Sequence, residues 1–257
     1  MSRRAFSAPL LFALSVVALC PAPHIRASDP QAIALLQQSL AAVGGTVPSD
    51  SQATGSVVLE AGGRIDEGTI RVVTRGLDQS LEEITAPDVR WTVIFSGLNA
   101  TETKGDSSES LPLELAVTSQ SAIFPVVVIA AALSNPDAAF EYLGVESLQG
   151  VPAHHLRLWS TFNSNPTLRH LAELTVKEIW IDSASGLPLK LAYERREALG
   201  AADRIRVEVF YSDYRDVGGV LYPFRVQKSL QGTPWASISI QSVAFNTGLT
   251  IVDLPNQ

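Results

Sequence analysis

The chain has 257 residues, 46% of them apolar and 18% charged, with a mean hydropathy of +0.17 and a formal net charge of −7. That composition excludes extensive disorder away from the termini and is ample for a packed core. The acidic balance argues against nucleic acid or anionic lipid headgroups as partners across the whole surface.

The first 27 residues read as a secretory signal. Ser2-Arg3-Arg4 is a basic start, residues 5–19 are apolar apart from Ser7, Pro9 and Ser15, and Ala27 offers a cleavage point before Ser28-Asp29. The segment is short and proline-interrupted for a spanning helix, which needs about 20 apolar residues. Its opening carries part of a twin-arginine export pattern, but ordinary secretion is the better reading. Cys20 is a lipid-anchoring alternative of lower rank, since Leu19 stands where a lipoprotein signal carries a small residue. Cleavage after Ala27 leaves no cysteine, so core burial and the sheet's hydrogen bonds must stabilise the fold without disulfides. It also leaves 16 basic residues against 26 acidic ones, a net charge of −10.

Residues 28–257 are expected to form one domain. Ser28 or Asp29 can cap a helix, Pro30 suits its first turn, and Ile33, Leu36, Leu40 and Val43 form an apolar stripe that Gly44-Gly45 ends. Strand-like segments follow at 54–60, 67–76, 79–84, 89–96 and 99–104. In the fourth, Val89, Trp91, Val93 and Phe95 alternate with Arg90, Thr92, Ile94 and Ser96, the period of two that gives a strand unlike faces. Residues 111–133 are rich in Ala, Val and Ile and predict a helical insertion, with 122–133 as a helix packed on the sheet. Strands are expected at 140–147 and 153–161, and 162–173 is ambiguous between loop and helical turn. From 174 to 249 the chain is a ladder of strands with short connections, which requires antiparallel neighbours.

The fold class predicted is α+β, mainly β, with roughly ten or eleven strands and two main helical segments. A sheet of that size must curl, split or close. The economical arrangement is a curved antiparallel half-barrel whose concave face is covered by the helices, leaving an apolar wedge between them.

Several segments also carry a family likeness. Val43-Gly44-Gly45 after the opening helix, the run Ile181-Asp182-Ser183-Ala184-Ser185-Gly186-Leu187-Pro188-Leu189-Lys190, and the run from Tyr211 through Arg215 and Gly218-Gly219 to Tyr222-Pro223 resemble the outer-membrane lipoprotein-sorting (LolA-like and LolB-like) proteins. The likeness covers most of the mature chain in order of elements, with its specific motifs mainly in 174–247. It implies a half-barrel with a helical lid and a hydrophobic cavity that carries lipoprotein acyl chains or other lipids across the envelope. Envelope lipoprotein-transport components would then be partners. No position is assigned to that family's functional arginine.

Candidate cavity or lid residues are Trp91, Phe95, Ile123, Phe124, Val127, Trp159, Trp180, Tyr211 and Phe224, with Trp235 a further aromatic; packed core is the competing reading for the aromatics. Nothing predicts a cofactor or a metal. His154 and His155 are adjacent on a strand and point to opposite faces, and His170 with Glu173 is an incomplete ligand set. Gly62-Gly63 and Gly218-Gly219 fit no phosphate-loop spacing, and no nucleophile has the context of a hydrolase. The expected function is an exported, monomeric, non-enzymatic protein holding a lipid or the acyl chain of a lipoprotein. The alternative is an envelope scaffold or interaction module whose core is filled by its own side chains.

Overall fold

The structure, a computed structural model, describes residues 28–118, 121–196 and 204–249. The expected signal segment, Cys20 included, lies outside the described residues.

Asp29 caps α1 (Pro30–Ala42) by accepting the Gln31 N–H at 2.8 Å, and Pro30, with no N–H to leave unpaired, occupies the first turn. Ala32, Leu36 and Ser39, with Val43 just beyond the helix, are buried, and Ile33 and Leu40 pack beside them. After Val43 the backbone turns at Gly44, whose φ is +126°. A Cβ there would stand 2.2 Å from Gly219 O, and the Leu221 N–H donates to Val43 O at 2.8 Å. Two glycine pairs far apart in sequence therefore meet, and their contact docks the helix end on a hairpin.

The strands are β1 (Asp50–Ala61), β2 (Arg64–Arg75), β3 (Gln79–Ala86), β4 (Val89–Ser96), β5 (Asn99–Lys104) and β6 (Ser107–Ser110). After α2 (Leu113–Ala116) and α3 (Pro125–Ser134) come β7 (Ala138–Leu148), β8 (Val151–Ser160), a 3-10 helix (Pro166–Thr175), β9 (Lys177–Asp182), β10 (Pro188–Arg196), β11 (Arg204–Val217), β12 (Val220–Leu230) and β13 (Thr233–Phe245). They form one antiparallel sheet in the order β6-β5-β4-β3-β2-β1-β13-β12-β11-β10-β9-β8-β7. Each half is a meander, and the β1–β13 seam joins them in the middle. Since β6 and β7 are the two unpaired edges, the segment between them has to travel from one side of the sheet to the other.

The fold is mainly β, but it has 13 strands rather than ten or eleven. β6, Ser-Ser-Glu-Ser with every residue exposed, has no apolar alternation by which to recognise it. The 111–133 insertion holds two helices, α2 and α3, and residues 121–124, which lead into Pro125, are not helical. The ambiguous 162–173 region resolves as the 3-10 helix.

Ion pairs across the interior measure the curvature. Arg195 on β10 lies 3.4 Å from Glu102 on β5, yet these strands are eight steps apart in the sheet. At about 4.8 Å per step a flat sheet would separate them by about 38 Å. The Glu82–Lys228 pair joins β3 to β12, four steps apart, in the same way. The sheet is thus strongly curled yet open at β6 and β7. Its concave side holds the main core, where Tyr211, Val226, Ile238 and Val57 stand in register across β11, β12, β13 and β1. α1 packs on α3 and β7, and α3 fills part of the concavity.

Candidate functional site: the interior beneath α3

α3 reads Pro-Val-Val-Val-Ile-Ala-Ala-Ala-Leu-Ser and carries no charge, so it has no face suited to water. Its Val126, Val127, Val128, Ile129 and Ala130 are buried. Ile123 and Phe124, just before it, are 0% and 2% exposed and anchor the helix in the core. Phe124 stacks on Phe245 at 5.9 Å between centroids and meets Tyr222 at 4.6 Å. The Tyr211 hydroxyl donates to Ala122 O, and burial raises its pKa well above the ordinary tyrosine value. Phe224, edge-on to Tyr222 at 6.4 Å, joins the same cluster. Five of the expected cavity residues, Ile123, Phe124, Val127, Tyr211 and Phe224, therefore fill the interior here.

An opening remains beside this core. A cavity of about 180 Å³ lies between Val128, Ala131 and Ala132 of the helix and a wall that includes Phe95, Leu98, Leu158 and Phe162. Phe95 reaches it from the concave face of β4, and Trp159 borders it from β8. Ser160, Thr175, Asn135 and Lys177 are its polar residues. The Ser160 N–H donates to Thr175 Oγ1 at 2.9 Å, that hydroxyl donates to Ala172 O at 2.8 Å, and Asn135 Nδ2 donates to Ser160 Oγ at 3.4 Å. Lys177 shares the concave face of β9 with buried Ile179 and Ile181. Burial lowers its amine pKa to about 8.

Trp91 lines a second, tighter space of about 60 Å³ with Trp235, Tyr193, Arg195, Glu82 and Lys228. Its Nε1–H donates to Glu102 at 2.8 Å and its ring meets Trp235 edge-on at 6.4 Å. Burial alone would raise the Glu102 pKa, but hydrogen bonds from Lys104 and Trp91 and the charges of Lys104 and Arg195 outweigh it and hold the carboxyl below the usual carboxylate range. Glu82 accepts from both Lys228 and the Ser121 hydroxyl, which ties the approach to α3 to this cluster.

Trp180 does not belong to the interior. It alternates with Ile179 and Ile181, so it points to the convex face, where it stacks on His155 at 4.1 Å with Lys190 Nζ 4.4 Å above its ring. Its apolar content suggested a cavity wall, but its phase on β9 puts it outside. His154 faces the other way from His155 and bonds the Tyr142 hydroxyl at 3.0 Å. Among the described residues no group of three or more His, Cys, Asp or Glu is placed to hold a metal, and no helix is long and apolar enough to cross a membrane.

Three solved structures superpose on this architecture. A DUF1329 family protein from Desulfovibrio piger is 12% identical with a TM-score of 0.56, over 88% of this chain and 97% of its own. A domain described as an outer-membrane lipoprotein-sorting protein from Vibrio parahaemolyticus is 14% identical with a TM-score of 0.56, over 88% and 96%. A LolA superfamily protein from Nitrosomonas europaea is 16% identical with a TM-score of 0.55, over 86% and 97%. The fold is that of the LolA-like lipoprotein-sorting proteins. No family profile and no curated protein matches the sequence. Within this LolA-like fold, the Gly44 and Gly218-Gly219 segments that carried the sequence likeness join α1 to the sheet and lie apart from the cavity.

The charged residues of the concave face were not among the sequence candidates. Their signal is phase: Lys177 stands two residues from Ile179 and four from Ile181, Lys228 two from Val226 and Leu230, and Glu82 two from Ile84, so each shares the core-facing side of its strand.

Proposed function

We propose that the protein is an exported carrier that holds the apolar chain of a lipid, or the acyl chain of a lipoprotein, between α3 and the curved sheet. The observation that carries this reading is the cavity of about 180 Å³ beside the uncharged, largely apolar α3, with Phe95, Leu98 and Leu158 opposite. The LolA-like fold supports it, and the basic, apolar, Ala27-ended start of the chain supports export. Each CH2 taken from water contributes about 0.8 kcal/mol, so half a dozen methylenes supply about 5 kcal/mol before the cost of ordering the ligand. The cavity is smaller than the ~300–1,000 Å³ of a site for a drug-sized ligand. A long chain therefore enters only if the Ala131–Ala132 flank of α3 yields.

The packed Phe124–Tyr222–Phe245 cluster favours a second reading, a self-filled envelope scaffold with no transported ligand. Uptake of a fluorescent acyl probe, with lipid extraction and native mass spectrometry of the purified protein, separates the two. The carrier reading expects one probe per chain, and it expects Ala131→Trp, which fills the cavity, to reduce uptake at least tenfold while the thermal midpoint holds. A protein with no co-purifying lipid and no uptake would leave only the scaffold.

A further inference from the structure

The chain has four lysines, and three of them meet carboxylates: Lys104 with Glu102, Lys190 with Glu208 and Lys228 with Glu82. Lys177 has no carboxylate within 4 Å among the described residues, although it stands on the concave face and lines the cavity beside α3. It is half-buried, and a cation partly withdrawn from water without a partner is costly, so proteins keep one where a ligand or reaction uses it. The other polar groups of the cavity are engaged with one another, as the Ser160, Thr175 and Asn135 bonds show. The rest of the lining is apolar, and no acidic residue lines it. The cavity is thus shaped for a molecule with one anionic end and one apolar body.

Resting on the carrier reading above, we propose that Lys177 binds the anionic head of an amphiphile, a carboxylate or a phosphate, whose chain lies against α3. An ammonium suits this task because it offers three donors as a compact point charge, fitting either oxyanion without demanding one geometry. Binding the head would supply the missing counter-charge, so the complex gains an ion pair that the free protein lacks. Tyr193 stands opposite Lys177 on β10 and Leu158 opposite it on β8, so neither neighbouring strand contributes a carboxylate at that level.

Dodecanoate, dodecyl phosphate and uncharged dodecanol share one chain and differ in the head, which makes them the probes. Titration calorimetry at pH 7 on the full mature chain should show an anionic ligand binding at least tenfold tighter than dodecanol. The tighter of the two anions identifies the head as carboxylate or phosphate. Lys177→Met should bring all three ligands to the dodecanol level, and Lys177→Arg should restore the preference. In the unaltered protein, the preferred anion should also protect Lys177 from acetylation, a readout that does not depend on the variants folding. Equal binding of all three ligands by the unaltered protein, a preference that survives in Lys177→Met, or acetylation unchanged by bound anion would overturn the headgroup role and leave the carrier reading standing. Failure of every ligand, dodecanol included, would overturn the carrier reading itself and this inference with it.

Discussion

At the scale of single residues, the charged groups of the concave face divide by whether they are matched. Glu82 with Lys228, and Glu102 with Lys104, Arg195 and Trp91, are closed networks in which each ion has a counter-charge. Breaking one partner of a buried pair costs about 3–5 kcal/mol, because the other charge is left unmatched. Lys177 is already in that unmatched state, and its amine is lowered from 10.5 to about 8 by burial alone. Between those values the unfolded chain binds the proton that the folded chain has released, so stability rises with pH across the window and the full penalty is present below about 8. Lys177 is half-buried, so solvent screens the penalty below the ~3 kcal/mol that 1.36 kcal/mol per pH unit would give. Urea unfolding should therefore show the protein gaining stability from pH 7.5 to 9.5. Lys177→Met should start higher at pH 7.5 and lack that gain. Parallel curves for the two proteins would contradict the assignment. Above about 10 the trend reverses, because burial raises Tyr193, Tyr211 and Tyr222 above their unfolded values and the unfolded chain ionises first.

At the scale of elements, α1, the ladder and most strand boundaries were legible in the sequence. They rest on local signals: Asp29 and Pro30 at a helix start, period-two alternation, and glycine-marked turns. β6 was not legible, since a four-residue polar edge strand exists only because β5 offers it a partner. The break between α2 and α3 did have a local signal, the polar run Thr118-Ser119-Gln120-Ser121 ahead of Pro125, which the apolar residues on either side of it outweighed. The aromatics show the same limit: Trp91 and Phe95 take the concave face while Trp180 takes the convex one, and only strand phase separates them. The glycine contact gives the element-scale prediction. Gly44→Ala places a Cβ 2.2 Å from Gly219 O, whereas at Gly45, φ +71°, a Cβ meets nothing within 4 Å. Gly45→Ala should cost about 1 kcal/mol of strain, and Gly44→Ala clearly more because the hairpin must also move away from α1. Equal losses in denaturant melts would show that the helix end is not held by this contact.

At the scale of the molecule, the topology makes α2 and α3 the only described helices between the two sheet edges. The curl that brings Glu102 to Arg195 turns the concave face of the sheet around α3. An uncharged, largely apolar helix inside the curl can serve as a permanent plug or as a stand-in for an apolar chain. A carrier needs the second role, so the position of a bound chain decides between them. A dodecanoate bearing a diazirine near its methyl end, photolysed in complex and mapped by peptide mass spectrometry, tests that position directly. A carrier should take labels on the cavity wall, at Phe95, Val128, Ala131 or Leu158, and Ala131→Trp should remove them. Labels confined to the convex face around Trp180 and His155, or none above an unphotolysed control, would rule that position out.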